Sequence, residues 1–111
     1  MTAADGEAER LFERLAGPYL EEPAVSRGTG FGGSAGLRVK GRIFAMLDRE
    51  GQLVVKLPAQ RVDQLVDSGA GARFSPRRDS RLMKEWATVP LDHSREWEQL
   101  VSEAFQFVRG E

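Results

Sequence analysis

Apolar and polar positions alternate from Leu37 to Leu47: Leu37, Val39, Gly41, Ile43, Ala45 and Leu47 against Arg38, Lys40, Arg42, Phe44 and Met46. Successive side chains of an extended chain point to opposite faces, so the pattern predicts a strand with the odd positions on the core side. The even face is basic at first and apolar at Phe44 and Met46. Asp48-Arg49-Glu50-Gly51 has hairpin-loop chemistry, with Gly51 suited to positive φ, and Leu53, Val55 and Leu57 return on the core face.

Elsewhere the period changes to that of a helix. Pro58 fits a first helical turn, Val62, Leu65 and Val66 form an apolar stripe, and Gly69 is placed to end it. Ser94 is the expected cap of a last helix whose Trp97, Leu100, Val101, Ala104, Phe105 and Val108 share one side. Ala8, Leu11, Phe12 and Leu15 predict a first helix, opened by Thr2 with Asp5 and stopped by Gly17-Pro18. Residues 18–36 read as a loop around a short strand near Val25 to Gly30. Ala72 to Phe74 and Trp86 to Val89 read as two more strands.

The order is α-β(3)-α-β(2)-α, an α+β fold with an antiparallel sheet and helices packed on one side. The expected core is Leu37, Val39, Ile43, Val55, Leu57, Leu65, Trp86, Trp97, Leu100 and Val101. At 111 residues the chain is expected to form a single domain, 1–111. It has no cysteine, no signal-peptide pattern in its acidic first ten residues and no apolar run of membrane-spanning length. A cytoplasmic protein without membrane contact is the expectation.

Net charge is −1, and it is unevenly distributed. Residues 1–22 carry six acids against two bases and residues 92–111 five against two, whereas residues 23–91 carry twelve bases against six acids. Acidic ends and a basic middle can produce a basic face on an acidic protein.

Gly28-Thr29-Gly30-Phe31-Gly32-Gly33 spells G-x-G-x-x-G, but a strand follows where dinucleotide binding needs a helix N-terminus. A bend or close backbone approach explains it better. Asp92-His93-Ser94 holds three triad residue types, yet adjacent residues cannot form the spatial relay, and His93 is the lone histidine. Asp63 and Asp67 lie one turn apart, with Arg61 and solvent to satisfy them. No catalytic residue, metal site or cofactor is expected.

The arginine-rich stretch stands apart. Arg73, Arg77, Arg78, Arg81 and Lys84 face Asp79 alone, a net +4 within twelve residues. Arg38, Lys40 and Arg42 add a second basic row. Guanidinium forks match phosphate oxygens, so these eight residues are the candidate nucleic-acid contacts. The competing reading is a solvated face paired with the acidic helices or with a partner protein. Phe44 and Met46, if uncovered, would form an apolar patch and an interface for a homodimer or another protein.

Phe31-Gly32-Gly33, Lys40-Gly41-Arg42-Ile43-Phe44-Ala45, Leu53-Val54-Val55-Lys56-Leu57-Pro58 and Lys84-Glu85-Trp86-Ala87-Thr88-Val89 resemble the MmcQ/YjbR family, as does the closing helix with Ala104-Phe105. The related N-terminal domain of TfoX competence regulators is similar. The resemblance implies an α-β(3)-α-β(2)-α fold like that of secretion chaperones. It also implies a protein of unestablished activity, of a kind often labelled predicted DNA-binding with a double-wing shape. For want of any acid, base, nucleophile or metal set, the leading expectation is a non-enzymatic bacterial cytoplasmic module. At 111 residues the chain is expected to lack the additional C-terminal domain of the full-length TfoX regulators. The alternative is a protein-interaction module or homodimeric scaffold.

Overall fold

The computed structural model describes residues 3–29, 35–48, 50–74 and 84–110. Among them, helices α1 (Ala3–Leu20), α2 (Ala59–Ser68) and α3 (Trp97–Arg109) pack against one face of a six-stranded sheet. The strands are β1 (Val25–Thr29), β2 (Ala35–Val39), β3 (Arg42–Leu47), β4 (Leu53–Lys56), β5 (Ala72–Arg73) and β6 (Trp86–Val89), with spatial order β1-β2-β3-β4-β6-β5. Every neighbouring pair is antiparallel. The fold is therefore of the expected α+β class, with four strands rather than three between α1 and α2.

The extra strand arises at Lys40-Gly41. The alternation that predicts one strand over 37–47 runs through a two-residue turn, with Lys40 at φ 54° and Gly41 at φ 81°. Positive φ at both positions matches the turn to the twist of the flanking strands, and glycine takes such a conformation without strain. Val39 faces Arg42 across this hairpin.

A bulge follows. Leu37 pairs with Ala45 but Arg38 pairs with Ile43, which leaves Phe44 as the additional residue on β3. Bulged residues break the alternation, so Phe44 and Ala45 both enter the main core, while Ile43 and Met46 turn to the other face. This corrects two expectations. Ile43 does not lie under the helices, and Phe44 does not lie opposite them.

The helical face buries Leu37, Val39, Phe44, Leu53, Val55 and Leu57 against Phe12 and Ala16 of α1, Val62 and Leu65 of α2, and Trp97, Leu100, Val101 and Phe105 of α3. The helix-free face carries a smaller cluster of Met46, Val54 and Trp86, with half-buried Ile43 and Phe74 packed on it. Trp86 thus belongs to the second cluster and not to the expected core under the helices.

Two helix boundaries differ from expectation. α1 continues through Gly17-Pro18 to Leu20. Its last turn brings Tyr19 within 5.8 Å of the Phe44 ring and 5.2 Å of the Phe105 ring, and this packing outweighs the backbone bond that Pro18 cannot make. Ser94 does not cap α3, because a 3-10 turn over Leu91–Glu96 precedes it, with a kink at His93. By contrast Gly69 ends α2 in the left-handed region at φ 82°, as its position predicts. Asp48 orders the β3–β4 hairpin by accepting hydrogen bonds from the Glu50 and Gln52 amides, each at 2.9 Å.

Candidate functional site

Strand register assembles a continuous stripe across the helix-free face. Ser26 pairs with Arg38, and Arg38 with Ile43. Ala45 pairs with Val55, so Lys56 lies within one residue of that level on β4. Lys56 pairs with Trp86, and the Phe74 amide donates to the Trp86 carbonyl at 3.0 Å. Ser26, Arg38, Ile43, Lys56 and Trp86, with Phe74 immediately after β5, therefore cross the width of the six-stranded sheet, about 24 Å at the usual strand spacing. The Trp86 and Phe74 rings sit 6.5 Å apart at one end.

At that end Lys56, Lys84, Glu85, Trp86 and Ala59 line a groove of about 410 Å³. Ala59 is the first residue of α2, whose first turn has no acidic residue and whose N-cap, Pro58, makes no side-chain capping bond. The positive end of the helix thus adds to the two lysines.

The electrostatics of the two faces differ. Among the described residues, the strand positions turned away from the helices are Ser26, Gly28, Gly36, Arg38, Ile43, Met46, Val54, Lys56, Ala72, Trp86 and Thr88. Two are cations and none is an acid. Among the described residues lining the groove, Glu85 is the one acid. The exposed acids Glu7, Glu9, Glu13, Asp63, Asp67 and Glu98 lie on the helices of the opposite face. There, Arg27 donates to Glu13 at 3.0 Å and holds its carboxyl below the ordinary carboxylate range.

The eight basic residues expected to act together do not all share this face. Arg38 does, its side chain lying directly over Gly28. Arg42 pairs with Val39 and so sits on the helix side. Lys40 occupies the turn and reaches the Arg109 carbonyl at 3.5 Å, at the negative end of α3. The expected row of Arg38, Lys40 and Arg42 therefore does not form, because the turn interrupts the alternation. Arg73 is engaged by Asp63 of α2. Arg61 does not satisfy Asp63, since it is paired with Glu103 of α3 at 2.8 Å. Arg38 and Arg73 are on strands four positions apart, about 19 Å. Lys84 stands exposed at the groove. Arg77, Arg78 and Arg81 lie outside the described residues, as does most of the G-x-G-x-x-G stretch.

Phe44 is fully buried in the main core, and Met46 is 1% exposed in the second cluster. The condition for an apolar interface patch, that both stay uncovered, is not met. Lys56 is the stripe residue that sequence reasoning passed over. Its signal was present, since an even position in a strand whose odd positions are Leu53, Val55 and Leu57 must face away from the core.

No curated protein and no solved structure matches the chain. The YjbR family profile matches residues 20–107, from the last residue of α1 to within α3, and so includes every strand and the whole stripe. The chain belongs to the YjbR family.

Proposed function

We propose that this chain is a non-enzymatic nucleic-acid-binding protein of the bacterial cytoplasm, and that its contact surface is the helix-free sheet face. The observation that carries the proposal is the stripe from Arg38 through Lys56 to Trp86 and Phe74, on a face whose described strand positions include no acid. Basic side chains beside aromatic rings suit a phosphate backbone with adjoining bases. The acidic helices on the opposite side orient the molecule in the field of a polyanion, so the net charge of −1 does not oppose docking through the basic face. The non-enzymatic part of the proposal is supported by the absence of any buried charged side chain among the described residues. Burial is the usual means of displacing a catalytic acid or base, and no such group is found there.

The test is an electrophoretic and anisotropy titration of single- and double-stranded oligonucleotides at several salt concentrations. Affinity should fall steeply with salt. Lys56→Ala and Lys84→Ala should each flatten the log–log slope by about 0.7 on a single strand or about 0.9 on a duplex if each neutralises one phosphate. Lys40→Ala and Arg42→Ala should leave it unchanged. No retardation of either form at tens of micromolar protein would overturn the proposal and favour a protein-interaction module.

A further inference from the structure

Resting on that reading, we infer that the form of nucleic acid the stripe accepts is the single strand, with unpaired bases meeting Phe74 beside Trp86 and phosphates meeting Lys56, Lys84 and Arg38. The argument is geometric. The three helices of the described residues lie on the other face, so among those residues no helix projects from the stripe. The sheet is six strands and about 24 Å wide, whereas the major groove of a duplex is about 12 Å wide, so the sheet face cannot enter it. The aromatic end of the stripe is of use only to a base whose face is open, because a paired base presents its face to its neighbours in the stack.

The spacing agrees with a chain laid across the strands. Lys56 separates the basic end from the aromatic end by about 10 Å on each side, two strand spacings to Arg38 and two to Phe74. The groove of about 410 Å³ beside Trp86, lined by Lys56 and Lys84, has room for a sugar-phosphate unit next to a base on Phe74. Phe74 is only half-buried where it packs on the cluster. Every base has a π-face, so this mode carries little sequence preference.

The experiment compares a 12-nucleotide single strand with its own duplex at equal low salt, by anisotropy of a labelled strand and by protein tryptophan emission. The single strand should bind at least about fivefold tighter. It should also quench Trp86 emission, while Trp97, fully buried in the main core, supplies an unchanged background. Phe74→Leu keeps an apolar side chain on the cluster. It should weaken single-strand binding about fivefold or more and leave duplex binding unaltered. Phe74→Tyr keeps the ring and should bind as the parent does, which separates stacking from a folding defect. A duplex bound equally or more tightly, or a Phe74→Leu variant that weakens both forms alike, overturns the single-strand inference while the nucleic-acid reading stands. Binding of neither form overturns both.

Discussion

Phe44 is placed by the β3 bulge into a three-ring cluster, 5.8 Å from Tyr19 and 5.4 Å from Phe105, and the energetics of that cluster test the chain path directly. Phe44→Leu keeps most of the buried apolar volume but removes a ring, at a cost of about 1–2 kcal/mol. Phe105→Leu behaves similarly and also removes the ring beneath the Arg109 guanidinium, which lies 5.7 Å away. An edge-to-face pair is worth about 0.5–1.5 kcal/mol beyond burial, so the double variant should be less destabilised than the two single costs combined, by about that amount. Stability near 5–15 kcal/mol, usual for a domain of this size, leaves all three variants folded. Urea unfolding followed by far-ultraviolet circular dichroism gives the four free energies. The control pairs Met46→Leu with Phe105→Leu. Met46 lies in the cluster on the other face, so these two should add within about 0.5 kcal/mol. Coupling of Met46 to Phe105, with none for Phe44, would refute the bulge and restore the simple alternation.

Gly36→Ala should cost about 1–3 kcal/mol, because its new methyl would meet the Gly28 and Ala45 carbonyl oxygens at 2.9 and 3.1 Å, and backbone cannot step aside. Gly28→Ala should cost less in a thermal melt yet weaken oligonucleotide binding, since the methyl displaces the Arg38 side chain instead. Trp97→Phe should cost no more than about 1.5 kcal/mol by urea titration despite full burial. The indole N–H finds no acceptor among the described residues, and removing it relieves a desolvation penalty. Glu13 is held below its ordinary pKa by Arg27, so the pair's contribution is present above the unfolded carboxylate pKa and lost as pH falls through the folded one. Both partners are largely exposed, so Glu13→Gln should lower stability at pH 7 by no more than about 1 kcal/mol, with the difference shrinking in melts taken to lower pH.

Much of this architecture is written locally. Asp48 and Gly51 specify their hairpin, Gly69 ends α2, and Trp97, Leu100, Val101, Ala104, Phe105 and Val108, the apolar side predicted for α3, are all buried. Leu37, Val39, Ala45 and Leu47 also lie under the helices as their parity predicts. Between them parity reverses twice, first at the Lys40-Gly41 turn and again at Phe44, so the errors cancel at the ends and remain at Arg42, Ile43 and Phe44. A glycine in an odd position counts as compatible with an apolar face, which is why the turn hid within the alternation. The candidate site was legible in part. Arg38 and Lys84 carry charge that composition exposes. The alignment of Arg38, Lys56 and Trp86 depends on register between strands distant in sequence, which no local pattern encodes.

The strand order also separates what the chain can assemble early from what must come late. β1 to β4 form a run of neighbouring hairpins in which each strand pairs with the next along the chain. The junction between β4 and β6 is different, since Lys56 meets Trp86 thirty positions on, with α2 and β5 between them. Closing a segment of that length costs about 3 kcal/mol of chain entropy before any pairing compensates, far more than a two-residue turn. The hairpin run is thus expected to form the nucleus, with β6 docking after the transition state. Substitutions at Leu37 or Phe44 should slow refolding, whereas those at Ala87 or Val89 should chiefly hasten unfolding. The junction that completes the sheet is also the one that sets Trp86 beside Lys56. The face proposed to bind nucleic acid is therefore expected to be the last part of the molecule to form.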